Sequence, residues 1–193
     1  MLAAVILSGG ASRRMGSPKA LLSYQGRPFL EHLLDVARYP KIGARRVVLG
    51  ADAEPIAKEI NLSADEIVIN EDWEKGQLSS IQAALRSLPP DTDGVILFLI
   101  DHPLISSALV EELIETFYTS RKSIVLPVYE GRRGHPVIFS STLYPELMSA
   151  PLETGARSVV WENASEVQVV QTNEEGCILN LNDPDTMQKA FGG

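Results

Sequence analysis

The segment Leu7-Ser8-Gly9-Gly10-Ala11-Ser12-Arg13-Arg14-Met15-Gly16-Ser17-Pro18-Lys19 holds the residues best suited to chemistry. Glycines at 9, 10 and 16 let the backbone turn sharply and present N–H groups without side-chain obstruction. Arg13, Arg14 and Lys19 place three cations within seven residues of an otherwise acidic chain. A polyphosphate is the ligand that uses both features, because bare amides and cations each bind anionic oxygen. Two common phosphate loops do not fit. The P-loop needs Gly-Lys followed by Ser or Thr, whereas Lys19 follows Pro18 and precedes Ala20. The dinucleotide fingerprint G-x-G-x-x-G is absent, since Gly9 and Gly10 are adjacent. A kinase-type ATPase and a nicotinamide dehydrogenase both lose their main support.

Asp101 is the carboxylate to set beside that loop. It follows Val95–Ile100, the most apolar segment of the chain, where an unpaired charge would be costly. Mg²⁺ or Mn²⁺ bridging a polyphosphate needs only one or two protein oxygens. Asn180 and Asn182 lie two apart at a predicted strand, Cys177–Leu181, and so share a side. Either one supplies a neutral second oxygen, or the pair belongs to the cap of the closing helix. His135, in a Gly-His-Pro turn, and His102 are each a substrate contact or a structural or solvent-facing residue; His32, on a helix face, is structural. Trp73 either stacks near a base or covers a core edge, and Arg132 and Arg133 bind a phosphate or form a solvated turn. Three separated histidines and a single cysteine, Cys177, give neither a zinc site nor a disulfide framework. No G-x-S-x-G elbow marks a covalent nucleophile.

Positioning these groups falls to strands that alternate with helices. Strand patterns cover Leu2–Leu7, Arg46–Leu49, Ile67–Asn70 and Val95–Ile100. Helical stripes cover Phe29–Tyr39, Glu54–Ile60, Leu78–Leu88 and Ser106–Tyr118. Strands that are apolar on both faces belong in a parallel sheet covered by helices. The expectation is a three-layer α/β/α fold with a doubly wound, mostly parallel sheet. Such a fold binds ligands beyond the carboxyl ends of its strands. That gathers the glycine loop, Gly50-Ala51, Asn70 and Asp101 on one rim. Further on, Ser123–Val128 and Pro136–Phe139 predict a hairpin or meander, Thr154–Trp161 a helix, Val167–Gln171 a strand, and Asp183–Ala190 a helix capped by Asp183.

The chain has 193 residues, 45% of them hydrophobic and 22% charged, which suits one globular domain over 1–193 with a real core. A net charge of −8 disfavours a nucleic-acid backbone as partner. No apolar run approaches the ~18 residues of a membrane span, and Met1–Gly10 lacks the basic region of a signal peptide. The expected location is cytoplasmic.

The glycine loop resembles the signature L-x-G-G-x-S-x-R-M-G-x-x-K of MobA-like nucleotidyltransferases. The likeness runs along nearly the whole chain. Asn70–Ile81 is similar to the family's N-x-x-W-x-x-G-x-x-x-S segment, and Asp101-His102-Pro103 to its D-x-P after the fourth strand. Gly134-His135-Pro136-Val137 and Gly155-Ala156-Arg157 resemble the branch that acts as molybdenum cofactor cytidylyltransferase. Asn180-Leu181-Asn182-Asp183-Pro184 resembles the N-I-N-T-P of the guanylyltransferases more than the D-I-D-T-P of the cytidylyltransferases.

The resemblance implies a nucleotide-diphospho-sugar transferase-like fold and an Mg²⁺- or Mn²⁺-dependent transfer of a nucleoside monophosphate with release of pyrophosphate. CTP is the first donor it implies and GTP the second. The acceptor it implies is the phosphate of molybdopterin, with a sugar phosphate as the alternative. It implies catalytic roles for Arg14, Lys19 and Asp101. Nucleotide contacts would come from Leu7, Ser8, Gly9, Gly10, Ser12, Arg14, Lys19, Gly50, Asn70, Gly76, Ser79, Ser80 and Asp101. His102 and His135 would touch the second substrate, and Asp101, Asn182 and Asn180 the metal. A molybdoenzyme or its chaperone is the implied protein partner. The rival of another class is a nucleotide-binding chaperone of such an enzyme, without turnover.

Overall fold

The computed structural model describes residues 1–10 and 17–191. The chain runs β1 (Leu2–Ser8), the short ladder β2 (Ser23–Tyr24) and β3 (Arg27–Pro28), then α1 (Phe29–Val36), β4 (Ile42–Leu49), α2 (Ala53–Glu59) and β5 (Ile67–Ile69). Next come α3 (Gln77–Arg86), β6 (Gly94–Leu99), α4 (Ser107–Ser120), β7 (Ile124–Tyr129), β8 (Arg132–Arg133) and β9 (Val137–Ser140). The remainder is α5 (Tyr144–Ser149), α6 (Ala156–Glu162), β10 (Val167–Gln171) and α7 (Pro184–Phe191).

The main sheet has the order β10-β7-β9-β6-β1-β4-β5, with β8 paired to β7. β1 lies parallel to both β4 and β6, with Val5 opposite Arg46 on one side and Leu97 on the other. β9 runs antiparallel to β6 and β7, and β10 runs parallel to β7. The chain builds β4 and β5 on one side of β1 and then crosses to β6 on the other. The topological switch therefore lies at β1 and β6, where a doubly wound sheet opens its crevice.

Burial explains why β1 carries no polar alternation. Leu2, Ala4 and Ile6 pack into one core cluster with Phe29, Leu33, Ile56 and Leu113. Val5 and Leu7 pack into a second with Leu78, Ile81, Leu147 and Val159. One face is thus covered by α1, α2 and α4, the other by α3, α5 and α6, and the expected three-layer α/β/α architecture is what forms. Of the described residues, no helix is long and apolar enough to cross a membrane.

Two strands differ most from the sequence reading. β4 begins at Ile42 rather than Arg46, because Arg45 and Arg46 hide a strand whose backbone pairs with β1 from Leu2 onward. Their charges are met at the edges: Arg45 pairs with Glu66 at 2.6 Å, and Arg46 donates to the Ser87 carbonyl. The predicted strand Cys177–Leu181 does not form. Glu175–Cys177 is a single 3₁₀ turn. The backbone groups after it bond to crossing loops instead of a neighbouring strand: the Cys177 carbonyl accepts from the His135 N–H, and the Leu181 N–H donates to the Asp101 carbonyl, each at 2.8 Å.

Candidate active site

A cleft of about 230 Å³ opens at the carboxyl ends of β1 and β6. The turn after β1 gives it Ser8, Gly9 and Gly10, and the segment from residue 17 onward gives Pro18 and Lys19. Asp52 and Ile56 enter from the start of α2, Trp73, Gly76, Gln77 and Ser80 from the approach to α3, and Asp101 from the end of β6. Ser12, Arg13 and Arg14 lie outside the described residues.

Close approach explains two of the glycines. A Cβ on Gly50 would stand 2.1 Å from the Gly9 carbonyl oxygen and 2.7 Å from Trp73 Cβ. A Cβ on Gly9 would stand 2.8 Å from the Ser80 hydroxyl. The turn after β1, the end of β4 and the Trp73 turn are thus stacked at backbone contact, with no room for side chains. Gly50 serves as packing behind Gly9 rather than as an open wall of the cleft.

Asn70 and Ser79 stand behind the cleft wall, not on it. The buried Asn70 amide donates to both Ser79 Oγ (2.9 Å) and Ser80 Oγ (3.0 Å), and its carbonyl accepts from the Asp72 N–H. Ser79 Oγ in turn points at the carbonyls of Asp72 and Gly76. Ser80, which lines the cleft, has an acceptor side occupied by Asn70. Its O–H is left to donate. Every hydrogen-bonding group of the Asn70 side chain is engaged in holding this turn, so its role is scaffolding.

At the opposite wall the Lys19 ammonium donates to Asn182 Oδ1 and stands 3.8 Å from Asp101 Oδ2. Asn182 is drawn in by the turn that pins Leu181 to Asp101. Asn180 is exposed, because the strand that would have aimed both asparagines one way is absent, and neither asparagine is part of the cleft lining itself. The Lys19 ammonium thus brings together one carboxylate, Asp101, and one neutral oxygen, Asn182, the two groups that could hold a metal ion here. That donor set suits a hard divalent ion that keeps most of its water. Among the described residues no larger cluster of carboxylates, histidines or cysteine competes for a metal.

His102 is buried against Asp101, its Nε2 3.9 Å from Oδ1, and does not face solvent. Burial holds its pKa below the ordinary imidazole value, against the upward pull of Asp101. Its ring centroid lies 5.2 Å from that of His135. Burial, then the His102 ring, lower the His135 pKa to about 3. Both rings are neutral near pH 7, and His135 Nδ1 is buried without a hydrogen-bond partner among the described residues.

His135 leads to a second cavity of about 360 Å³ under β9 and α6. Leu97, Leu126, Val137 and Phe139 form apolar walls, with Arg133, His135, Arg157 and Trp161 as its polar and aromatic members. Leu7, Gln77 and Leu99 line both cavities, so the two are neighbours across one partition whose single polar side chain is Gln77. Sequence reading missed Asp52, Gln77 and Trp161. Asp52 was within reach, two residues past Gly50 on the predicted rim. Gln77 and Trp161 carried no signal, because only the tertiary fold sets α3 and α6 around a common opening.

A family model described as "MobA-like NTP transferase domain" matches residues 4–167. "Nicotine blue oxidoreductase" of Paenarthrobacter nicotinovorans is 30% identical over 97% of this chain and 93% of its own. "Molybdenum cofactor guanylyltransferase" of Vibrio cholerae is 28% identical over 97% of this chain and 90% of its own. Rv0371c of Mycobacterium tuberculosis superposes with a TM-score of 0.85 at 26% identity, covering 100% of both chains. A second structure of that protein, in complex with manganese, superposes at 0.79 with 25% identity, covering 100% of this chain and 98% of that one.

Proposed function

The chain belongs to the family of MobA-like NTP transferase domains, and on that premise we propose that it moves a nucleoside monophosphate from a triphosphate to the phosphate of molybdopterin, releasing pyrophosphate. The observation that carries this reading is the pairing of two cavities across the Leu7–Gln77–Leu99 partition: one has a glycine turn, a lysine and an aspartate, the other apolar walls and two arginines.

The triphosphate takes the first cavity. Amides of the Gly9-Gly10 turn and the Lys19 ammonium face its β- and γ-phosphates. Ser80 and Trp73 are left for the base and sugar. Asp101 and Asn182 would hold a divalent ion, which neutralises charge on the triphosphate when bound. The acceptor takes the second cavity, its phosphate toward the partition. An acceptor phosphate oxygen forms the new bond to the α-phosphorus. The bond from the α-phosphorus to the bridging oxygen breaks, and pyrophosphate leaves with the electron pair toward Lys19. The attacking phosphate is already ionised, so no general base is required. The neutral His102 and His135 position rather than ionise. Catalysis then rests on placement and on fixed charge around the reacting phosphates.

CTP is the donor proposed first, on the resemblance of the Gly134-His135-Pro136 turn to the cytidylyl branch; Gly134 and His135 of that turn line the second cavity. GTP is second, supported by the name of the Vibrio relative. Pyrophosphate release is measured with Mg²⁺, molybdopterin and each of CTP, GTP, ATP and UTP. One pyrimidine or guanine triphosphate is expected to dominate. Asp101→Ala is expected to lower the rate about 100-fold or more, the scale of losing a preorganised charge contact, while its circular dichroism is unchanged. Release with a sugar phosphate alone would remove molybdopterin from the reading. Failure with every triphosphate would leave the non-catalytic nucleotide-binding role. The name of the Paenarthrobacter relative supports a second reading, oxidoreduction; a net change in the oxidation state of an organic substrate with no pyrophosphate release would favour it.

A further inference from the structure

Trp161 is anomalous for a large aromatic side chain. It leaves 58% of its surface exposed, yet it sits at the edge of a cavity rather than on an isolated stretch of surface. The Arg157 guanidinium lies over the indole, 5.8 Å from the ring centroid. Both residues project from α6, one turn apart, so their spacing is fixed by the helix. A ring backed by a cation is a rigid plane with few rotamers and a large apolar face. Leu126, Val137 and Phe139, which line the same cavity, are apolar and set on the sheet. Such a slot favours a flat ring over a puckered, hydroxyl-covered one, because a sugar would lose water to apolar walls without recovering its hydrogen bonds.

We infer that Trp161, backed by Arg157, is the specificity-determining wall of the second cavity, and that it stacks on a planar heteroaromatic ring carried by the phosphate-bearing acceptor. The inference rests on the proposal that the acceptor enters this cavity. It adds which part of the acceptor is read and by which side chain. Trp73, the other tryptophan of the chain, lines the first cavity and plays no part in this recognition.

The test is calorimetric titration of the wild type, Trp161→Ala and Trp161→Phe with three probes: a phosphate monoester of 6-hydroxymethylpterin, ribose 5-phosphate, and CTP with Mg²⁺. Wild type is expected to bind the pterin ester more tightly than ribose 5-phosphate. Trp161→Ala is expected to bind the pterin ester about tenfold more weakly, on the scale of one stacked ring. Its affinity for ribose 5-phosphate and CTP should be unchanged, and Trp161→Phe should recover most of the loss. Equal affinity of wild type and Trp161→Ala for the pterin ester would overturn the inference. So would an equal loss for ribose 5-phosphate, or no preference of the wild type for the ring. Pyrophosphate release by the wild type tests the transfer reading separately: its absence, with the ring preference intact, removes the reaction and leaves the recognition.

Discussion

At the scale of single residues, the site depends on which side chains face the ligands and which hold those that do. Asn70 shows the difference. Its position in the N-x-x-W segment suggested a nucleotide contact, but its buried amide is fully engaged with Ser79, Ser80 and the Asp72 backbone. Spacing shows which residues come near a site. It does not show which hydrogen-bonding atoms remain available, since that depends on partners brought in by folding. His135 has a consequence that can be measured. Its pKa is lowered to about 3 by burial and by the His102 ring. Proton uptake is therefore weaker in the folded protein than in the unfolded chain. The stability this provides is complete above the ordinary imidazole value near 6.5 and is lost as pH falls from there toward 3. His102, lowered by burial, acts in the same direction, and the neighbouring Cys177 thiol stays neutral throughout. Urea unfolding at pH 7, 6, 5 and 4 should show wild type losing more stability than His135→Gln on each step below 6.5, by roughly 1 kcal/mol per pH unit. Parallel decline of the two proteins would contradict the assignment of a buried neutral ring.

At the scale of elements, the cleft is a meeting of strand ends, and its tolerance is set by backbone contact. Gly50 and Gly10 make contrasting tests. An added Cβ at Gly50 meets the Gly9 carbonyl, which cannot move without shifting the turn after β1, while at Gly10 nothing among the described residues lies within 4 Å. Gly50→Ala is expected to cost about 1–3 kcal/mol, as overpacking does, and to weaken Mg·CTP binding about tenfold or more. Gly10→Ala is expected to melt like wild type. Thermal melting and calorimetry read both, and an unaltered affinity in Gly50→Ala would show that the turn does not need this stacking. The elements that carry the glycine loop and Asp101 were legible because β1 and β6 are buried on both faces and read as unbroken apolar runs. The segment around Cys177 was not. Its apolar residues resemble a strand, but Gly176 packs against the Leu104 carbonyl and the backbone bonds outward to loops. Only tertiary partners could reveal that, and with the strand went the shared orientation of Asn180 and Asn182.

At the scale of the whole molecule, a doubly wound sheet places its switch point where β1 meets β6, and both cavities open near that seam. The rim of strand ends followed from topology alone. The second cavity did not, because it forms between β9, reversed in the sheet, and α6, which the chain reaches only after leaving the parallel half. Two anionic substrates held on either side of Leu7, Gln77 and Leu99 make phosphorus the site of bond exchange. Transfer of isotopic label tests this most directly. With Mg²⁺, molybdopterin and the preferred triphosphate labelled at either the α- or the γ-phosphorus, the account predicts that α-label passes to the acceptor and γ-label appears only in pyrophosphate. Arrival of the γ-label on the acceptor, or retention of the α-label in a mononucleotide that never joins it, would contradict the account.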